Sequence, residues 1–197
     1  MLLDLLLFGC LLLWFDQKAE RRRRIEKYTN AINDLLGWEH EMATYRIVGN
    51  VRRLNREGAS PESLNKAYLE GADLKGANLS ETSVHQANLS DANLRNADLS
   101  EAYLGTADFS GANLEKADLS GAHLGAFAGG RVSEQRQTVL AGANLRGADL
   151  RALRNATADA FAEVDTLFKA RLDPDLEAEI EAEYPGLLEP HGAGHRG

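Results

Sequence analysis

The 197-residue chain has few of the residues that cross-link, ligate metals or catalyse. Cys10 is its only cysteine, which excludes an intrachain disulfide and a cysteine-ligated zinc site and is compatible with a reducing compartment. Positive charge is scarce: 22 Lys and Arg stand against 30 Asp and Glu, a net charge of −8. Binding to nucleic-acid phosphates is therefore disfavoured, and no direct nucleic-acid partner is expected. No Gly-x-Ser-x-Gly elbow and no Gly-Lys-Ser/Thr phosphate loop occurs. His40, His85, His123, His191 and His195 show no close ligand spacing; the last two are four apart but follow Pro190 among glycines, which does not suit a helical metal pair. The expectation is a protein that is not an enzyme and has no cofactor or metal. The length suits one domain with accessory segments.

The charge is unevenly placed: Arg21, Arg22, Arg23, Arg24, Lys27, Arg52, Arg53 and Arg56 make the N-terminal part basic, and the chain after Ala67 leans acidic. Ahead of Arg21, "MLLDLLLFGCLLLWF" (Met1 to Phe15) is apolar apart from Asp4. As a helix this run reaches roughly 22 Å, short of the ~30 Å hydrocarbon core of a bilayer. Trp14 and Phe15 stand where interfacial aromatics belong, and the arginines follow at once, a flank that stays cytoplasmic. We expect residues 1–15 to be a short membrane anchor or transmembrane helix with the N-terminus outside. Arg21–Arg24 then form the membrane-proximal basic cluster, each worth about 1 kcal/mol beside anionic lipid. A cleaved signal peptide fits poorly, because no basic region precedes the run. "LFGC" does not read as a lipoprotein cleavage box, because the apolar run continues past Cys10. The alternative cover for this run is the protein itself or a second copy, so homo-oligomerisation stays open.

Residues 16–66 read as a basic helical cap. Ile25, Tyr28, Ile32 and Leu35 form one helical stripe that stops at Gly37, and Ala43, Ile47, Val51 and Leu54 form the next, ending at Gly58. Ser60–Pro61 has the form of a further helix start.

From Ala67 a phrase recurs every five residues: AYLEG, ADLKG, ANLSE, TSVHQ, ANLSD and onward. Its centres are Leu69, Leu74, Leu79, Val84, Leu89, Leu94, Leu99, Leu104, Phe109, Leu114, Leu119 and Leu124. A helix would scatter these around its axis, and a strand would alternate them between faces because five is odd. A backbone that turns a corner once per five residues keeps them all on one side. Four corners close a square coil, and coils stack about 4.8 Å apart through main-chain hydrogen bonds. Leu and the Ala two before it point inward, Asn or Asp suits the corner, and Gly or Ser suits the outer bend. After Leu124 the register breaks, and Leu145 and Leu150 resume it out of phase. Residues 125–142 read as a loop leaving the coil, with Leu140 a repeat centre on return.

The motif resembles the pentapeptide-repeat family, A-[D/N]-L-x-x, over Ala67 to Leu124 and again at "ANLRGADL", Ala143 to Leu150. That resemblance implies a β-solenoid, a right-handed quadrilateral β-helix spanning 67–150, here with N- and C-terminal helical caps. "RIVGNVRRLNREG" (Arg46 to Gly58) and "LFKARLDPDLEAEIEAEYPGLLE" (Leu167 to Glu189) resemble the flanks of membrane-attached bacterial members whose function is largely uncharacterised. Residues 151–189 read as a helical cap, with Phe161, Val164 and Phe168 at helical spacing and a second helix opened by Asp173–Pro174; 190–197 read as a disordered tail. Residues twenty apart should stack, so Ser83, Tyr103 and His123, which replace the usual Asn or Asp, should line up beside His85 as a candidate interaction surface. The expected function is a membrane-associated scaffold with an unidentified protein partner and lipid contact through its N-terminus. It is expected at a bacterial inner membrane with the repeats in the cytoplasm, or otherwise in the cytoplasm. The alternative, implied by another branch of the family, is a DNA mimic that binds a DNA-processing enzyme such as gyrase.

Overall fold

The computed structural model describes residues 2–128 and 131–190, with side chains from Leu7 to Gly125 and from Thr138 onward. Residues 191–197, most of the expected tail, lie outside the described part, as do His191 and His195.

Two helices open the chain, α1 (Leu2–Asn33) and α2 (Glu41–Arg56). The apolar run and the basic stripe were expected as separate segments, yet α1 is continuous through both for 32 residues. Nothing between Phe15 and Arg21 breaks a helix; the stretch Asp16-Gln-Lys-Ala-Glu contains good helix formers, and the first proline is Pro61. His40 caps α2, its Nδ1 accepting from the Met42 N–H at 3.1 Å. Ala43, Ile47, Val51 and Leu54 are buried beneath it, and Gly58 ends this stretch at φ +69°. No helix starts at Ser60–Pro61; Pro61 is buried and the chain runs straight into the coil.

The coil begins earlier than Ala67, at Ser63, which bridges Ser83 in parallel. Further bridges recur twenty residues apart in four columns: Tyr68 with Asn88, Asp73 with Asn93, Asn78 with Asp98, and onward. Each side of the square carries one bridge residue rather than a strand. Its neighbours supply the rungs, as where Leu69 N–H donates to Asn88 O at 2.7 Å and Asn88 N–H to Ala67 O at 2.9 Å. The Asn or Asp of the repeat sits on the straight side, not at the corner as expected. The corner is the pair after Leu, closed by a turn bond such as Ala72 N–H to Leu69 O at 3.0 Å. Asn or Asp braces that corner from the side: Asn88 Oδ1 accepts from the Ser90 N–H at 3.0 Å and its hydroxyl at 2.6 Å. The second corner residue needs φ near +60°. Gly71 supplies it without strain, while Glu81, Asp91 and Glu101 adopt it at 55–58°.

The fourteen repeat centres are at most 2% exposed, including Phe109, Leu145 and Leu150. The alanines two before them are buried as well. Thr82 takes an alanine position, and its hydroxyl is satisfied by Pro61 O at 2.7 Å.

The first coil's open edge meets α2. Thr44 donates to Tyr68 O at 2.7 Å and Arg52 to Asp73 O at 2.8 Å. Asn55 behaves like a rung: its amide donates to Asn78 O at 2.9 Å and accepts from Asn78 N–H at 2.8 Å. Side chains of one helix thus occupy main-chain groups on three of the four columns.

The register break is a hairpin, not an open loop. β1 (Gly125–Ala128) pairs antiparallel with β2 (Arg131–Gln137), and the coil resumes at Thr138 and Val139 rather than after Gly142. Bridge partners step from twenty to thirty-one residues apart (Asp108 with Val139, Asn113 with Asn144), so eleven residues are inserted. Thr138 closes the neck, its buried hydroxyl within 2.9 Å of Leu104 O and 2.6 Å of Leu124 O. Leu140 is buried on return.

Residues 157–169, which carry the helical spacing of Phe161, Val164 and Phe168, do not form the helix that spacing predicts. Beyond a single 3-10 turn, Ala158–Phe161, they wind a further partial coil: Thr166 bridges Asn144 and Arg171 bridges Asp149. Phe161, Val164 and Leu167 are buried. Phe168 turns outward instead, with the Arg146 and Lys169 cations 5.5 and 5.2 Å from its ring. Their spacing satisfies both a helix and this wider coil, and the open rungs of the coil beneath decide between them. Helix α3 (Pro174–Glu183) follows, with Asp173 as N-cap and Ile180 buried.

Candidate interaction surface

Two surfaces depart from the uniform repeat. The first is the column Ser63, Ser83, Tyr103, His123 and Arg154, each bridged to the next. Tyr103 and His123 stack, ring centroids 4.7 Å apart and planes at 17°. Ser83 donates to Asn65 Oδ1 at 2.7 Å. His85 lies at the adjoining corner, its Nδ1 3.3 Å from the Thr106 hydroxyl. Tyr103 is half exposed, but His123 is only 6% exposed, so Tyr103 is the accessible ring.

Sequence reasoning missed the ion pair above this stack. Arg154 Nη2 lies 3.1 Å from Glu101 Oε2. Glu101 reaches it across Gly121, where a Cβ would strike its carboxylate. Counting in twenties cannot find Arg154, because the hairpin displaces it. Burial, and then the Arg154 charge, push the His123 imidazole below its ordinary range, against Glu101. The neutral ring is therefore the form the fold prefers. Stability linked to His123 is complete above the unfolded value near 6.5 and is lost as pH falls below it. Replacing Tyr103 and His123 together by Asn, the repeat's own residue, should leave the far-UV circular dichroism unchanged. The melting temperature of the variant should fall less on acidification than that of the parent; equal falls would exclude His123 as a source.

The second surface is α1. Every described residue from Leu7 to Arg24 is exposed except Gly9, which is half-buried. Leu7, Phe8, Leu11, Leu12, Leu13, Trp14 and Phe15 are 50–64% exposed, and together they surround the helix with no polar stripe. The four arginines separate. Arg24 grips the Glu57 carboxylate with two bonds of 2.8 and 3.1 Å, and Arg21 donates to Glu57 O at 2.8 Å. Arg22 and Arg23 are exposed. The Arg24 bond holds the Glu57 carboxyl below its usual range. Among the described residues no helix is long and apolar enough to cross a membrane. The expected transmembrane helix is thereby corrected: α1 is long, but its apolar run carries Asp4 and charge resumes at Asp16 and Lys18.

A groove of about 710 Å³ lies where α2 meets the first coil, bordered by Tyr45, Arg46, Tyr68, Glu70 and Asp73. Its charges are mixed. Among the described residues no group of three His, Cys, Asp or Glu could hold a metal ion.

The family model for pentapeptide repeats matches in eight copies over residues 63–91 and 87–125. Through these residues the chain belongs to the pentapeptide-repeat family. The right-handed β-helix is that family's fold, and the twenty-residue register is four repeats per coil. The chain is similar to the pentapeptide repeat protein Rfr23 from the cyanobacterium Cyanothece 51142, at 32% identity over 56% of this chain and 67% of that one, TM-score 0.35. It is similar to alr5209 from Nostoc Pcc 7120, at 27% identity over 64% of this chain and 95% of that one, TM-score 0.34. It is also similar to QnrB1, a plasmid-mediated fluoroquinolone resistance protein, at 23% identity over 61% of this chain, TM-score 0.38. The chain spans 57% of the QnrB1 chain. No curated protein sequence matches the chain. No enzyme family is indicated.

Proposed function

We propose that this pentapeptide-repeat protein is a non-enzymatic, membrane-associated scaffold that presents its β-helix to a protein partner at the cytoplasmic face of a bacterial inner membrane. The observation that carries this reading is the run of exposed apolar side chains from Leu7 to Phe15 that surrounds α1. A helix apolar on every side needs cover on every side. A second copy would cover one seam and leave the rest wet, whereas lipid covers the whole circumference. From Leu2 to Phe15 the helix is about 21 Å long, against ~30 Å for a hydrocarbon core. The arm enters the bilayer without crossing it. Helices α2 and α3 act as end caps that keep the coil's open edges from pairing with other chains. The partner-binding face is the Tyr103 ring with the Glu101–Arg154 pair, where the rod is irregular and aromatic.

Membrane fractionation tests the reading. The full chain should pellet with membranes, and deletion of residues 1–15 should move it to the supernatant with its fold intact. A full-length chain that is soluble and monomeric without detergent overturns it; one that is soluble but a stable oligomer assigns the arm to a second copy.

The second reading, a DNA mimic that binds gyrase, draws on one column in which Asp98, Asp118 and Asp149 are successive bridge partners. Cations interrupt it. Arg171 follows Asp149 in that column, and Arg151 and Arg171 pair with Asp149 at 2.6 and 3.1 Å. Inhibition of gyrase supercoiling by the purified protein would restore this reading; the expected result is none.

A further inference from the structure

We propose that the root of the α1 arm is a binding site for anionic phospholipid headgroups formed by Lys18, Arg22 and Arg23, while Arg21 and Arg24 are a clasp that fixes the arm to α2. This rests on the membrane reading above and divides a basic cluster that the sequence presents as one.

The division follows from helix geometry. At 100° per residue, Arg21 and Arg24 share a face with Ile25, Tyr28 and Ile32, the residues of α1 that join the hydrophobic core or pack against it. Both engage Glu57 at the end of α2. Arg22 and Arg23 point away from that face. Both are exposed, and among the described residues neither forms a hydrogen bond or ion pair. Lys18 is exposed too, its Nζ lying 4.8 Å from the Trp14 ring centroid, so a cation is held beside the aromatic that marks the end of the apolar run. The countercharges on this stretch are Asp16, Glu20 and Glu26, and Glu20 lies 3.9 Å from Arg24, on the clasp rather than on the free pair.

The heights agree. With Phe15 at the hydrocarbon boundary, Lys18 stands about 5 Å beyond it and Arg22 and Arg23 about 10–12 Å. The headgroup layer is ~5–8 Å thick, and the Debye length at physiological salt is ~8 Å. All three cations act on lipid phosphates at that range. The ligand is a lipid and not a soluble phosphate, because the same cations border an exposed apolar helix that a soluble anion would leave uncovered.

The test is co-sedimentation of the full chain with vesicles of phosphatidylcholine alone and of an equal mixture of phosphatidylcholine and phosphatidylglycerol. The mixture should bind more tightly, with roughly five-fold per free cation. Arg22→Gln with Arg23→Gln should remove about 25-fold of the preference for the mixture and leave binding to phosphatidylcholine as it was. Glu57→Gln, which releases Arg24, should hold or raise binding to the mixture. Excess glycerol phosphate should not compete. Equal binding to both vesicles, no effect of the Arg22/Arg23 change, a loss of binding in Glu57→Gln, or competition by glycerol phosphate would each overturn the inference while leaving the membrane reading standing. Binding to neither vesicle removes the membrane reading itself.

Discussion

Leu94→Asp should abolish the folded rod. Leu94 is fully buried, and its N–H donates to Asn113 O at 2.8 Å. An Asp there places a carboxylate inside the continuous core of buried leucines, alanines, Val84 and Phe109. The penalty is at least about 4 kcal/mol whether the group stays ionised or takes up a proton. That is a large share of the ~5–15 kcal/mol that holds a typical domain together. Because coils touch only their neighbours, a breach in the middle also parts the coils above from those below. Lys75→Asp, on an exposed corner, is the control and should stay within about 0.5 kcal/mol of the parent. Urea denaturation followed by circular dichroism reads both. A cooperative melt for Leu94→Asp at the parental midpoint would mean that the inward register is wrong.

Phe161→Ala should destabilise the whole protein by about 3–5 kcal/mol. Phe161 is fully buried and belongs to the same continuous core as the repeat leucines. The segment that carries it is joined to the coil below by main-chain rungs, Leu145 N–H to Thr166 O at 3.0 Å and Leu150 N–H to Arg171 O at 2.8 Å. It is tied to the segment beyond α3 by Leu167 N–H to Leu187 O at 2.8 Å. A cavity here therefore loosens the last coil and the cover over it together. The melt should move to lower temperature as a single transition. If a separate early transition appears while the repeat region melts as before, residues 151–189 are a detachable cap.

Much of this architecture is local, and that is why it is legible. The corner of each repeat closes through a bond between residues three apart, such as Ala97 N–H to Leu94 O at 3.0 Å. A five-residue phrase therefore prescribes its own turn, and four turns prescribe the coil. The stacking of Ser83, Tyr103 and His123 follows by counting, because the period does not change between them. The same local logic misplaced Asn and Asp. Their turn-forming habit points to a corner, whereas they brace the corner from the side beside it.

What the sequence by itself determined is the inward face, the period, the α2 stripe and the apolar character of residues 1–15. The tertiary structure alone decided the rest. Whether Phe161 and Val164 lie on a helix or in a coil depends on the unfilled rungs of the coil beneath, which no local spacing encodes. Where the coil resumes after the hairpin depends on Thr138 meeting the carbonyls of Leu104 and Leu124, far apart in the chain. The displaced Arg154 finds Glu101 only because the hairpin is looped out of register. The four arginines of α1 are alike in sequence, and only the position of Glu57 at the end of α2 separates the pair that holds the arm from the pair that faces outward. In each case the deciding contact joins residues brought together by closure of the coil or by helix packing, and a period of five carries no information about either.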